Sequence, residues 1–212
     1  MLMLLNACGP SGTDVTGEGE GTTDTVAPPT TDTDPAETDP PTDTHTTSTF
    51  DAELSALCVN EFMAGNATAL PGNGLYPDWI ELHNSGTDSV DLSGWTLSDN
   101  ADEPGLFAFD DGTTLAAGAF LLLFADGDTF TDDHVNFSLS AGGELIGLYA
   151  PNGDGEVVNF GAVNDDMAAA RSTDCCVGSE CWDVVAWGTP GLSNLTTPVP
   201  PVITTETGDS GP

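Results

Sequence analysis

The residues of this chain that could do chemistry are 5 cysteines, 3 histidines and 35 acidic side chains, set against a single base, Arg171. Four cysteines, Cys58, Cys175, Cys176 and Cys181, form an even set of the kind that becomes disulfides in an oxidising compartment. Adjacent Cys175 and Cys176 rarely bond each other, so Cys58 is expected to pair with one of them and Cys181 with the other. A zinc site fits less well, because no Cys-x-x-Cys pair is present and His134 lies far away in sequence. Glu61, Asp78 and Glu81 are the carboxylates that could pair as acid and base. They have no company of the usual kind: His45, His83 and His134 are scattered, and no Gly-x-Ser-x-Gly, His-Glu-x-x-His or phosphate loop occurs. Enzymatic function is therefore not expected.

The acids cluster at Asp99, Asp102 and Glu103, at Asp110 and Asp111, at Asp126, Asp128, Asp132 and Asp133, and at Asp165 and Asp166. Calcium takes about six to eight oxygens from converging loops, and Asp126-Gly127-Asp128 lacks the onward spacing of an EF-hand loop. Solvated loop charge accounts for most of these groups. The best single cation candidate is Asp126, Asp128, Asp132 and Asp133, where a carboxylate-rich turn leaves an apolar strand, and no cofactor beyond such a calcium ion is implied. A formal net charge of -34 with no lysine at all repels nucleic acid and anionic lipid, since phosphate binding depends on Lys and Arg displacing counterions.

Residues 1–8, Met1 to Cys8, end in Leu5-Asn6-Ala7-Cys8, which resembles a bacterial lipobox with cleavage before Cys8 and lipid on its thiol. The run is short and has no basic residue ahead of it, which a true start upstream of Met1 would supply. No other stretch approaches the roughly 18 apolar residues of a membrane span, so lipid would be the only membrane anchor. Residues 9–50 are Thr, Asp, Pro, Gly and Glu with almost nothing to bury, and are expected to be a disordered tether. Stretched by like charge and proline, it would hold a folded head about 50 to 100 Å from a membrane. Residues 196–212 read as a second disordered, Pro- and Thr-rich tail.

Between the tails, residues 51–195 form one domain large enough for a single core. Short apolar runs recur about every eight to twelve residues between Gly, Asn and Asp, with no helical period, which predicts an all-β antiparallel sandwich. Asp78 to Asn84 alternates, with Ile80 and Leu82 on one face and Glu81 and His83 on the other; Trp95 and Leu97 repeat the pattern. The two segments, Asp78 to Asn84 and Val90 to Asp99, read as strands paired across a short polar turn. Phe120 to Phe124 is apolar on both faces, as in an interior strand. Pro151 to Gly155 reads as a hairpin turn.

The order Trp79-Ile80-Glu81-Leu82-His83-Asn84, then Asp91-Leu92-Ser93-Gly94-Trp95-Thr96-Leu97, resembles the lamin-tail domain. Val59 to Ala64 matches that family's opening strand, and Gly112 to Leu115, Phe137 to Glu144, Thr189-Pro190-Gly191 and Asn194 follow in order, so the resemblance covers about residues 57 to 194. It implies an immunoglobulin-like sandwich in which Trp79, Glu81, Trp95 and Arg171 are structural. Arg171 would hold the C-terminal segment to a strand carboxylate such as Glu61 or Glu81. Lamin-tail domains of nuclear lamins contact protein and DNA; the missing basic patch removes the DNA half here.

The resulting expectation is a non-enzymatic binding or scaffolding module on a bacterial outer membrane or cell surface. Its partner would be an envelope or extracellular protein or a glycan, with no nucleic acid. The alternatives are a cation-stabilised structural lipoprotein with no specific partner and an accessory module of a secreted hydrolase system.

Overall fold

The computed structural model describes residue 53 and residues 56–201, apart from 73, 129 and 130. The expected leader with Cys8, the segment 9–50 and the end of the C-terminal tail lie outside them. Twelve strands form among the described residues: β1 (Leu57–Met63), β2 (Asp78–Asn84), β3 (Val90–Asp91), β4 (Thr96–Ser98), β5 (Phe107–Ala108), β6 (Thr114–Leu115), β7 (Phe120–Ala125), β8 (His134–Val135), β9 (Glu144–Tyr149), β10 (Gly155–Phe160), β11 (Met167–Arg171) and β12 (Trp182–Ala186). They make a six-stranded sheet ordered β12-β11-β1-β2-β7-β8, a four-stranded sheet ordered β10-β9-β4-β5, and a β3-β6 pair. This is the expected all-β, immunoglobulin-like sandwich. The pairings are antiparallel except β7 with β8, which run parallel after the acidic turn between them.

The segments Asp78 to Asn84 and Val90 to Asp99 are not a hairpin. β2 pairs with β1 and β7, whereas β4 pairs with β5 and β9 in the other sheet. Both segments carry an apolar face, and two such faces bury each other from opposite sheets more completely than from neighbouring strands. Ile80 and Leu82 thus join Trp95 and Leu97 in one core. Asn84 fixes the crossing by donating through Nδ2 to the carbonyls of Asp88 and Leu115, both at 2.9 Å. The turn after β9 does close a hairpin: Gly153 takes φ 88°, and Ala150 N–H reaches Asp154 O at 2.7 Å.

β7 shows why a fully apolar strand needs cover on both sides. Leu121 and Leu123 enter the main core, while Leu122 and Phe124 face outward onto a smaller cluster with Met63, Trp79 and Ala168. Trp79 and Trp95 are wholly buried, one in each cluster, and neither indole Nε1 has a hydrogen-bond partner among the described residues.

In β1 the sequence Val59-Asn60-Glu61-Phe62 cannot alternate strictly without driving Glu61 into the apolar core. A register shift between Val59 and Glu61 inserts one residue opposite β2. Val59 and Phe62 therefore both point inward, and Glu61 joins Met63 on the outer face, directly opposite Glu81.

Cys58 is bonded to Cys175 and Cys176 to Cys181. The first ties β1 to the segment after β11 across 117 residues, the second closes a loop of 5. Replacing Cys58 and Cys175 by serine is expected to cost about 2 to 4 kcal/mol in urea unfolding, and replacing Cys176 and Cys181 clearly less, because the longer loop restricts the unfolded chain more. Equal losses would contradict this ranking.

Candidate functional site

A group of potentially reactive side chains lies on the outer face of the six-stranded sheet. Glu61 and Glu81 sit side by side there on β1 and β2, both fully buried. Glu61 accepts from Thr189 N–H at 2.9 and 3.0 Å and from Thr189 Oγ1 at 3.2 Å. Glu81 accepts from Gly191 N–H and, at 3.2 Å, from Asn60 Nδ2. Burial pushes Glu61 up to about 7, although the Thr189 hydrogen bonds pull the other way. Burial pushes Glu81 up to about 8, with the hydrogen bonds from Gly191 and Asn60 lowering it and the charges of Glu61 and Asp174 raising it further. Elevated, adjacent carboxyls are what acid–base catalysis uses; these two are fully buried and engaged in holding a loop.

That loop is Thr189-Pro190-Gly191. It arrives through Trp187 and Gly188, which both adopt positive φ (64° and 67°) to fold the chain back onto the sheet. Only glycine fits at 188: an added Cβ would lie 2.8 Å from Glu61 Oε1 and 3.0 Å from both Trp79 and Ala168. Asn194 completes the latch, donating through Nδ2 to Arg171 O at 3.0 Å and Asn60 O at 3.1 Å. Its N–H reaches Asp174 Oδ1 at 2.9 Å. Burial raises the Asp174 carboxyl, but hydrogen bonds from Ser193, Asn194 and Asn60 outweigh it and hold the group below the ordinary carboxylate range.

Arg171 is buried at 3% exposure and does hold the C-terminal part of the domain, but not through Glu61 or Glu81. Its side chain points to the inner side, where Nη2 pairs with Glu156 on β10, Nε donates to Val59 O at 2.7 Å and Nη1 donates to Cys176 O. The guanidinium lies 4.6 Å from the centre of the Trp182 ring. Glu156 also accepts from Val59 N–H at 3.0 Å, so one ion pair bridges the two sheets. The expected partners are instead claimed by backbone N–H groups of the latch, which satisfy a carboxylate without a counter-charge.

The carboxylates of the acidic turn after β7 are engaged separately. Asp126 turns its carboxylate to His134 Nδ1 at 3.0 Å and accepts from Asp128 N–H at 3.0 Å. Asp132 and Asp133 line a cleft of about 560 Å³ beside Leu106, Phe107 and Leu123. Among the described residues no three His, Cys, Asp or Glu side chains come together to hold a metal ion. Asp78, the third of the candidate acid–base group, accepts from Asn66 N–H at 2.9 Å, apart from the other two. On the opposite side of the sandwich, a second cleft of about 580 Å³ opens between β10 and β12, with Phe62, Phe160 and Trp182 in its wall.

The family model of the lamin tail domain matches residues 51–163, more than half of the 212-residue chain. The chain belongs to the lamin-tail-domain family. No curated protein matches it. In this lamin-tail domain the fold continues past the matched segment: β11 pairs with β1, β12 with β11, and the latch that engages Glu61 and Glu81 lies at 189–191.

Several residues that matter to the architecture of this lamin-tail domain are not marked by its sequence. Asn60 occupies the bulge and bridges Glu81 to Asp174, the latter also at 3.2 Å. Asp166, one of a pair of acids read as loop charge, accepts from the N–H groups of Ala67, Thr68 and Ala69 at 2.7 to 3.0 Å. Partial burial raises the Asp166 carboxyl, but the hydrogen bonds from Thr68, Ala67 and Ala69 overcome it and bring the group below its ordinary value. The signal in sequence is the turn-forming run Asn164-Asp165-Asp166, in which Asp166 takes φ 58°, a conformation Asp tolerates. Glu156 gave no signal, because an acid on an edge strand usually faces water.

Proposed function

We propose that this lamin-tail domain is the head of a surface-anchored, non-enzymatic binding or scaffolding module. In this reading lipid on Cys8 anchors the chain and the acidic segment 9–50 holds the head off an outer membrane or cell surface. The partner is an envelope or extracellular protein or a glycan, and nucleic acid is disfavoured by a net charge of -34.

One observation carries the reading: the carboxyls best suited to acid–base work, Glu61 and Glu81, are fully buried and engaged by the Thr189 to Gly191 latch. What the domain offers outward is a strand edge at β12 and two lateral clefts, which are features of recognition. Metabolic labelling of the source cells with a fatty acid, combined with protease treatment of intact cells, tests the placement. The wild-type chain is expected to take up label and be clipped from outside, and Cys8→Ser to remain unlabelled. Unlabelled wild-type chain that resists protease only until cells are lysed would overturn the anchored reading.

A further inference from the structure

β12 ends the six-stranded sheet, and among the described residues nothing pairs with its outer side. The bonds flanking its pairing with β11, Ser172 N–H to Cys181 O and Trp187 N–H to Asp166 O, fall on one parity. Asp183 and Val185 therefore bond inward to β11, and Trp182, Val184 and Ala186 turn their N–H and C=O groups to the open edge. Trp182 and Val184 also line the cleft between β12 and β10, where Val184 is 63% exposed. The other edge at this cleft is closed differently. Glu156 on β10 points inward and is bound across the sandwich to Arg171 and Val59. β12 carries no such device: its only charge is Asp183, exposed, with Glu180 just before it.

We propose that β12 receives a basic, extended peptide segment of a partner protein as an added strand, its apolar side chains entering the cleft beside Trp182 and Val184. The proposal rests on the binding-module reading and names the partner's chemistry. An added strand would bond to the outward groups of Trp182, Val184 and Ala186, giving affinity through the main chain. Alternate residues would reach the apolar wall of Phe160 and Trp182, and those between would pass Asp183 and Glu180. Charge selects the occupant. A second copy brings another -34, and the segments outside the described residues contain neither Lys nor Arg, so self-occupancy is opposed by repulsion.

The test uses the full chain, isotope-labelled, titrated with an eight-residue alternating Lys-Val peptide. Saturable binding is expected, with slowed amide exchange at Trp182, Val184 and Ala186. Affinity should fall at least tenfold when alternate peptide nitrogens are methylated or when Val184→Lys is introduced, a position exposed enough to leave the melt unchanged. A Glu-Val peptide should not bind. Equal affinity for the methylated peptide, or shifts spread over the acidic loops and lost in salt, would reduce the effect to charge alone and overturn the proposal. Slow exchange at Val184 before any peptide is added would place another segment on the edge and overturn it as well. If V184K chain still captures a partner from envelope extract, the groove assignment fails while the binding-module reading stands.

Discussion

Raising the pH from about 5 to about 9 is expected to destabilise this protein by an amount on the order of a few kcal/mol, lowering the melting temperature accordingly. Glu61 and Glu81 have an ordinary value of 4.5 and are raised to about 7 and about 8 in the fold, burial being the main cause. A raised acid binds its proton more tightly when folded. Its contribution is thus fully present below the unfolded value and is lost as pH climbs through the folded one. A tenfold difference in proton affinity between folded and unfolded chain is worth about 1.4 kcal/mol, and the loss should be concentrated between about pH 5 and 8. Ionising both groups would place two charges face to face on neighbouring strands while Arg171 is paired with Glu156, and the latch would be the first part to loosen. Below about pH 4 the trend should reverse, because Asp166 and Asp174 sit below the ordinary carboxylate value and lose their contribution on protonation. Glu81→Gln should flatten the slope above pH 6 while leaving the low-pH limb intact. A wild-type melt that is flat from pH 5 to 9 in constant salt would sink this account of the pair.

Arg171→Ala is expected to cost about 3 to 5 kcal/mol and to lower the melting temperature by about 10 °C or more. The substitution strips Glu156 of its counter-charge, leaves the carbonyls of Val59 and Cys176 without their donor and removes the cation from the Trp182 ring. Arg171→Lys should recover little, since an ammonium cannot donate from three fixed nitrogens in three directions. Pairing Arg171→Met with Glu156→Gln should lose less than Arg171→Ala alone, because no partly buried carboxylate is then left without its counter-charge. Urea unfolding of the four proteins gives the comparison. A loss below about 1 kcal/mol for Arg171→Ala would mean that the ion pair is a surface contact in energetic terms.

The fold was legible because its signals are local. Alternation in Asp78 to Asn84, the turn Pro151 to Gly155 and the position of Trp95 each follow from side-chain periodicity and turn chemistry. Strand partnership was less legible. Whether β2 meets β4 edge to edge or face to face depends on the whole sandwich, and an apolar face is satisfied either way in sequence. The bulge at Asn60 also hides in plain composition: Val59-Asn60-Glu61-Phe62 becomes informative only when a buried acid must be kept out of the core. Arg171 reads in sequence as a cation for a strand carboxylate, and only geometry separates Glu156 from Glu61 and Glu81 as its partner. The acids of the turn after β7 looked like one cluster because sequence counts charge and not direction. In the fold, Asp126 turns to His134 while Asp132 and Asp133 line a cleft.

The central claim is that this domain recognises a partner, and capture tests it most directly. The full chain, purified with both disulfides intact and immobilised, is exposed to envelope extract of the source cells, once with calcium and once with chelator. The account predicts one protein or glycan enriched in both conditions and competed away by free chain. No competed partner in either condition, together with a melt that rises only with calcium, would contradict it and leave a cation-stabilised surface cap as the better description.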